Sequence, residues 1–203
     1  MKLIRSYSKY SDYVDHQKEK TNDPGRREKW LNDEWNSKLE GFMLEFQKLM
    51  RSTPQVLYTG QNALCLGART GQEVKALQNL QVNAIGIDLV ACEPLVIEGD
   101  IHDLNFPDSS FDFIFTNIID HTIYPEKMVS EIERVLKPGG HFFLQLQAGI
   151  QQDEYTEYEP SSPNEIVMLF NNSECIHADF LNPDDTSTIN VHGMNFEMIF
   201  KKN

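Results

Sequence analysis

The feature that most constrains the fold is a short apolar run, a glycine-bounded turn and a second apolar run that ends in aspartate. Residues 62–66 read NALCL and lead into the turn GARTG at 67–71, and residues 83–87 read NAIGI and lead into Asp88. Apolar runs of this length are typical of strands that are covered on both faces. Residues 71–79 have a helical pattern. The order predicts a strand–turn–helix–strand unit, which is how nucleotide-binding α/β domains usually begin.

The rest of the chain extends this unit into a doubly wound, seven-stranded, mostly parallel α/β sheet. The further predicted elements are strands at 94–98, 111–116, 140–146, 174–180 and 194–201, and helices at 125–136, where KPGG ends the helix, and at 163–171. Only six residues separate Asp88 from Leu95, whereas a parallel crossover usually needs about a dozen or more. The helix between the second and third strands is therefore expected to be missing or reduced to a turn.

The N-terminal region has a different pattern from the rest of the chain. We predict a helical cap or lid at residues 1–52, ahead of a ligand-binding domain at 53–203. Asp23 followed by Pro24 is typical of a helix start. Beyond this pair, apolar residues recur three or four apart and predict one helical stripe that packs on the core: Trp35, Leu39, Phe42, Phe46 and Leu49.

Composition and charge exclude several classes of function. The 203 residues include 18 basic and 31 acidic side chains, and the net charge of −13 disfavours binding to a nucleic-acid backbone. No apolar run approaches the roughly 18 residues of a membrane span, and the N-terminus lacks a signal-peptide core. Three cysteines without CxxC spacing are expected to be reduced thiols. We therefore expect a cytoplasmic protein with a small-molecule substrate. Its oligomeric state has no signal in the sequence.

The predicted topology indicates where a ligand binds, because ligands of open α/β sheets lie beyond the carboxyl ends of the strands. Gly67 permits the tight turn after the first strand, and Gly71 lets the following helix pack closely, with its N–H groups towards an anionic group. Asp88, 21 residues after Gly67, is placed to accept hydrogen bonds from ribose hydroxyls. After the third strand, Asp100 can accept a hydrogen bond from an adenine amino group, and Ile101 can pack on its ring.

Four segments together resemble the class I S-adenosylmethionine-dependent methyltransferases, specifically the small type 11 kind. They lie within residues 60–147 and read GARTG, GID, GDIHDLNFPDSSFD and RVLKPGG. The last two segments are the most specific. The resemblance implies a Rossmann-like transferase that uses S-adenosyl-L-methionine and releases S-adenosyl-L-homocysteine.

The resemblance also implies roles for individual residues. Gly67 and Gly71 would line the methionine part of the cofactor, Asp88 would hold the ribose, and Asp100 with Ile101 would bind the adenine. Other residues assigned to the cofactor site lie beside these positions: Ala68, Arg69, Leu89, His102 and Asn117. The ring of His102 is expected at the surface, since no ligand cluster around it predicts a metal site.

The turn departs from the family pattern twice. Cys65 stands where the family usually has an acidic residue, and Arg69 stands where it usually has a glycine. S-adenosylmethionine has no pyrophosphate, so the backbone need not approach it as closely as it approaches NAD, and the glycine is less necessary. The Arg69 guanidinium is expected either to contact the cofactor carboxylate, or to be solvated or paired with Glu73 one turn on.

The chemistry of methyl transfer directs attention to the segment TNIIDH at 116–121. In-line displacement on a sulfonium needs positioning and no protein nucleophile, and a general base helps only when the acceptor is a hydroxyl or a protonated amine. The candidate base is His121 with Asp120 beside it, and the alternative is a loop pair without a role. Nearby, Asn117 and Tyr124 could orient the groups.

Other tyrosines are candidates for substrate contacts. Tyr7, Tyr10 and Tyr13 are spaced by three, which fits either a packed helix or part of a lid over a ligand. Tyr155 lies in the acidic, aromatic insert 148–163, after the fifth strand. With Tyr124, Tyr10, Tyr13 and Tyr155 as its substrate residues, such a site would suit a neutral or cationic small molecule, or a sugar.

Two other functions remain open at this point. An NAD-dependent oxidoreductase would share the opening pattern, but the chain lacks the third glycine and a matching catalytic constellation. A catalytically silent binding or scaffold protein would keep the fold, and the altered GARTG turn and the missing helix are consistent with it.

Overall fold

Helices and strands alternate along the chain in the computed structural model, which describes residues 2–147, 153–160, 162–180 and 194–203. Its strands are β1 (Lys2–Leu3), β2 (Asn62–Leu66), β3 (Asn83–Asp88), β4 (Val96–Glu98), β5 (Phe111–Thr116), β6 (Leu136–Leu146), β7 (Tyr158–Glu159), β8 (Ser173–Phe180) and β9 (Phe196–Lys202). Its helices are α1 (Tyr10–Asn22), α2 (Pro24–Leu31), α3 (Trp35–Ser52), α4 (Gln72–Asn79), α5 (Pro125–Val135) and α6 (Pro163–Val167), with a 3₁₀ turn at Ile119–His121.

Seven strands form one sheet in the order β4-β3-β2-β5-β6-β9-β8. The first five are parallel, whereas β9 runs antiparallel between β6 and β8. Helices α3 and α4 bury side chains against one face of the sheet, and α5 and α6 bury side chains against the other. The predicted doubly wound, mostly parallel α/β fold is therefore confirmed. Burial on both faces explains why the central strands are continuous apolar runs.

The connection between β3 and β4 contains no helix, as predicted. Seven residues join the two parallel strands, and within them Cys92 N donates a hydrogen bond to Val96 O at 2.9 Å. Side chains of the N-terminal helices contact this stretch. Arg27 donates a hydrogen bond to the Ala91 carbonyl at 3.1 Å, and Lys18 pairs with Glu98 at 3.1 Å.

The cap helices follow the sequence pattern. Helix α2 begins after Asp23, whose side chain accepts a hydrogen bond from Arg26 N at 2.7 Å, which confirms the predicted helix start. Helix α3 buries Phe42, Phe46 and Leu49 in the same cluster as β2 and α4, so the apolar stripe packs on the core. The division at residue 52 stays a prediction.

Tyr10 and Tyr13 lie on helix α1, which agrees with the packed-helix alternative for these tyrosines. The chain before it pairs with the segment after residue 153, because β1 runs antiparallel to β7. Among the helices that the structure describes, none is long and apolar enough to cross a membrane.

Two predicted boundaries differ from the structure. The KPGG sequence was expected to end a helix and leave a turn, but α5 passes directly into β6, and KPGG lies inside that strand. The pairing with β5 shifts register between Phe111 and Phe113 to accommodate it. The predicted helix 163–171 is also shorter, at Pro163–Val167.

Candidate functional site

Two adjoining cavities lie beyond the carboxyl ends of β2, β3 and β5. One has a volume of about 310 Å³ and is formed around residues 67–73, and we name it the turn cavity. The other has a volume of about 70 Å³ and contains the side chains of Asp88 and Asp100 in its wall, and we name it the carboxylate cavity. Residues that line both cavities mark the boundary between them: Lys20, Gly67, Arg69, Ile118 and His121.

The GARTG turn has three residues in the left-handed region, with φ of +69° at Gly67, +51° at Arg69 and +88° at Gly71. A Cβ at Gly67 would lie 2.4 Å from Cγ1 of Ile118, and a Cβ at Gly71 would lie 2.8 Å from Cβ of Leu95. Both glycines are therefore needed for conformation and for space. Arg69 adopts the backbone conformation of the glycine that it replaces, at a cost of roughly 1–2 kcal/mol.

The Arg69 side chain points to the cap. Its guanidinium carbon lies 4.3 Å from the centroid of the Trp30 ring, which is cation–π geometry. Burial lowers the pKa of Arg69, and the nearby charges of Asp88 and Glu73 oppose this effect. In the described part of the chain, Arg69 makes no ion pair with Glu73. The expected pairing with Glu73 is therefore wrong, because the guanidinium of this partly exposed residue packs on the Trp30 ring instead.

Asp88 is fixed at the end of β3 by two backbone groups. Its Oδ2 accepts a hydrogen bond from Arg69 N at 2.9 Å, and its Oδ1 accepts one from Val90 N at 3.1 Å. Burial raises the pKa of this carboxyl, and the two N–H groups oppose the rise. Leu89 lines the same cavity as Asp88. The carboxylate is therefore held in one orientation at the cavity wall.

Asp100 and His102 form a buried hydrogen-bonded group with α1. Asp100 Oδ1 accepts from His102 N at 2.8 Å and lies 3.0 Å from His102 Nδ1, and its Oδ2 accepts from the Tyr10 hydroxyl at 2.5 Å. Burial would raise the pKa of Asp100, but the hydrogen bonds from His102 and Tyr10 outweigh it and lower the pKa to about 2. A carboxylate oxygen has two acceptor positions, so Oδ2 keeps one for a ligand in the carboxylate cavity, where Ile101 is a neighbour.

The expectation that His102 lies at the surface is wrong. Its side chain is 1% exposed, and its Nε2 lies 2.5 Å from Thr122 Oγ1. Within the described ranges, no group of three or more His, Cys, Asp or Glu side chains could hold a metal ion.

The 3₁₀ turn after β5 places His121 and Asp120 on the wall of the turn cavity, beside Asn117. His121 Nδ1 lies 2.8 Å from the Tyr155 carbonyl, so the neutral ring donates from Nδ1 and keeps its lone pair on Nε2. Asp120 Oδ2 lies 3.8 Å from that Nε2 and would stabilise the imidazolium formed when Nε2 takes a proton. This arrangement can serve a general base.

The four tyrosines assigned to the substrate lie in three different places. Tyr13 is 2% exposed, lines the carboxylate cavity and donates a hydrogen bond to the His121 carbonyl at 3.0 Å. Tyr10 and Tyr124 are stacked, with ring centroids 5.9 Å apart, and line a separate cavity of about 240 Å³. Tyr155 is buried against His16, with ring centroids 5.0 Å apart, and lies outside the lining of all three cavities.

Several lining residues had no signal in the sequence. Lys20 of α1 lines both cavities and pairs with Asp153 at 2.9 Å. Burial lowers the pKa of Lys20, whereas the bond to Asp153 opposes this. Lys38 of α3 and Glu73 of α4 line the turn cavity. These residues reach the site through the packing of the cap and of α4, which no local motif encodes.

Comparison with known proteins agrees with this geometry. A family model described as a methyltransferase domain matches residues 64–144. The sterol 24-C-methyltransferase of Yarrowia lipolytica is 32% identical over 106 residues, 51% of this chain and 26% of that enzyme. The fatty-acid O-methyltransferase of Mycolicibacterium smegmatis is 42% identical over 48 residues, 23% of this chain and 17% of that enzyme. The chain thus spans about a quarter or less of these two curated relatives.

A solved structure shows the same fold over the full chain. The 1,6-didemethyltoxoflavin-N1-methyltransferase of Burkholderia thailandensis, with bound 1,6-didemethyltoxoflavin and S-adenosylhomocysteine, has a TM-score of 0.69 at 13% identity. The superposition covers 100% of this chain and 93% of that chain. At this identity the likeness concerns the fold alone. The match over residues 64–144 identifies a methyltransferase domain in that part of the chain, and the likeness in fold agrees with it.

Proposed function

We propose that this chain binds S-adenosylmethionine across the two cavities and transfers its methyl group to a small molecule. The observation that carries the proposal is the order of groups along the cleft. The carboxylate cavity holds Asp88 and Asp100, and it joins the turn cavity at Gly67 and Arg69. A nucleoside joined to an amino acid fits this order, because its ribose and base need hydrogen-bond acceptors at one end of the cleft and its amino acid needs charged groups at the other.

The residues present fit the nucleoside half. Asp88 is oriented by two backbone N–H groups and offers free acceptor positions to ribose hydroxyls. The apolar side chains of Leu89 and Ile101 line the same space and suit the faces of a purine ring. Asp100 can accept a hydrogen bond from an exocyclic amino group.

The residues of the turn cavity fit the amino-acid half. Gly67, Ala68 and Thr70 present the turn, and Lys38 with Arg69 supplies positive charge for a carboxylate. When bound, S-adenosylmethionine supplies an activated methyl group on its sulfonium. The chain then has to hold the acceptor in line and remove a proton where the acceptor carries one.

We propose that the methyl acceptor is a hydroxyl or amine of a small molecule, such as a sugar, and that His121 is the base. Support comes from the Nε2 lone pair of His121 and from the carboxylate of Asp120 on the same cavity wall. Residues 1–52 would act as the cap, since Tyr13, Gln17 and Lys20 of α1 line the cleft. Tyr10, Tyr124 and Tyr155 stay proposals as substrate residues.

Calorimetric titration with S-adenosylmethionine and S-adenosylhomocysteine tests the proposal. The wild-type protein is expected to bind both in the micromolar range. Asp88→Asn should weaken binding at least about fivefold, because it removes a fixed charge and turns one acceptor into a donor, at a cost of about 1–3 kcal/mol. Asp15→Asn is the matched control, since Asp15 is exposed on α1.

Either of two results would contradict the proposal. One is the absence of binding at millimolar ligand, which would favour a scaffold role for the fold. The other is equal affinity in the wild type and the Asp88→Asn variant. Binding by the wild type justifies a screen of methyl acceptors, beginning with sugars and other hydroxyl compounds.

A further inference from the structure

Glu73 is a buried carboxylate on the wall of the turn cavity, and within the described chain the only donor to it is its own backbone N–H. The residue is 5% exposed and lies in the first turn of α4. Arg69 and Lys38 act on its charge from a distance, but no other described side chain makes a hydrogen bond or ion pair with it. Buried carboxylates are almost always paired.

Another buried glutamate shows what a satisfied carboxylate looks like in this fold. Glu133 accepts hydrogen bonds from Asn172 N and Ser173 Oγ, both at 2.8 Å, where α5 contacts the start of β8. Glu73 has no comparable donors and faces a cavity of about 310 Å³ instead. A cationic donor supplied by a ligand would satisfy it.

The position of Glu73 relates to the missing acid of the family pattern. Cys65 stands at the end of β2 where the family usually has an acidic residue, and its side chain is fully buried. Cys65 lies in one buried cluster with Val74 and Leu77 of α4, the helix that carries Glu73. Burial raises the pKa of the Cys65 thiol, and the charge of Glu73 raises it further. Helix α4 therefore brings a carboxylate to the neighbourhood that the strand leaves without one.

We propose that Glu73 binds the ammonium group at the amino-acid end of the cofactor. The inference rests on the proposed function. An ammonium group offers three donors and a positive charge, and a hydrogen bond between charged groups is stronger than one between neutral groups. Lys38 and Arg69, on the same wall, are left to the carboxylate of that amino acid.

Calorimetry with three probes tests the assignment: S-adenosylhomocysteine, its analogue with hydrogen in place of the ammonium group, and 5′-methylthioadenosine, which lacks the amino acid. Glu73→Gln is expected to weaken S-adenosylhomocysteine binding at least tenfold and to change the affinities for the other two probes less than threefold. Wild-type protein should prefer S-adenosylhomocysteine to the deaminated analogue at least tenfold. Glu40→Gln, at an exposed position of α3, is the control.

The outcomes separate the two proposals. If the wild type binds S-adenosylhomocysteine and Glu73→Gln binds it equally well, the role of Glu73 is refuted while the proposed function stands. If the variant loses all three probes to the same extent, Glu73 supports the site through folding and the inference is also wrong. If the wild type binds none of the probes, the proposed function fails and the inference fails with it.

Discussion

Replacing Glu73 with glutamine should stabilise the ligand-free protein at alkaline pH and leave it nearly unchanged at acidic pH. Burial raises the pKa of Glu73 to about 7, and the hydrogen bond from its own backbone N–H and the attraction of Arg69 only partly oppose this. The unfolded chain has the ordinary pKa of 4.5. Between these two pH values the folded state binds more protons than the unfolded state, so the contribution of Glu73 to the free energy of unfolding falls as pH rises.

The magnitude follows from the two pKa values. Each pKa unit corresponds to 1.36 kcal/mol. When the difference in bound protons is integrated from pH 5 to pH 8, the free energy of unfolding of the wild type falls by about 2.5 kcal/mol. The glutamine variant lacks this decrease. Other groups titrate in both proteins, so they cancel in the comparison of the two.

Urea unfolding at pH 5, 6, 7 and 8, without ligand, measures this difference. The free energy of unfolding of Glu73→Gln minus that of the wild type should increase with pH, mainly between pH 5 and 7. A difference that stays constant from pH 5 to pH 8 would refute the claim that Glu73 is a buried carboxylate without an ion pair. Saturating S-adenosylhomocysteine should reduce the increase, because its ammonium group would compensate the charge.

Two further predictions concern the turn and the candidate base. Arg69→Gly is expected to change the free energy of unfolding by less than about 1 kcal/mol, because relief of the left-handed backbone offsets the lost contact with Trp30. Arg69→Ala loses the contact and keeps the strain, so it should lower the free energy of unfolding by roughly 1–2 kcal/mol. Equal values for the two variants in urea unfolding would contradict this. His121→Gln is expected to lower kcat by about 10²–10⁴-fold with a hydroxyl acceptor, as measured by steady-state kinetics. The dissociation constant of S-adenosylhomocysteine, measured by calorimetry, should change less than about threefold. An unchanged kcat would exclude His121 as the base.

The sheet could be predicted from the sequence because its strands are buried on both faces. The run 62–66 became β2 with the same bounds, and counting the six residues between Asp88 and Leu95 was enough to predict the missing crossover helix. The KPGG sequence was misleading, since glycine and proline end a helix but are tolerated in a strand where its pairing shifts register. A single sequence does not distinguish these two uses.

The site could be predicted only where topology alone places residues. Gly67, Asp88 and Asp100 follow strand ends, and the carboxyl ends of parallel strands meet at one edge, so these residues line the cleft as expected. Lys20 and Lys38 line it because the cap folds over that edge, and the sequence offers no period or motif for such a contact. His102 was misplaced because two of its partners, the Tyr10 hydroxyl of α1 and the Thr122 hydroxyl, come from distant parts of the sequence.

The cap also explains how the turn can carry an arginine. In the left-handed conformation a non-glycine residue is strained by roughly 1–2 kcal/mol, and the contact of Arg69 with Trp30 contributes a stabilisation of similar size. The same cap supplies the hydroxyls of Tyr10 to Asp100 and of Tyr13 to the His121 carbonyl. Both cavities therefore depend on α1 and α2 as well as on the strand ends, and a change in the cap that moves Trp30 should alter the turn before it alters the sheet.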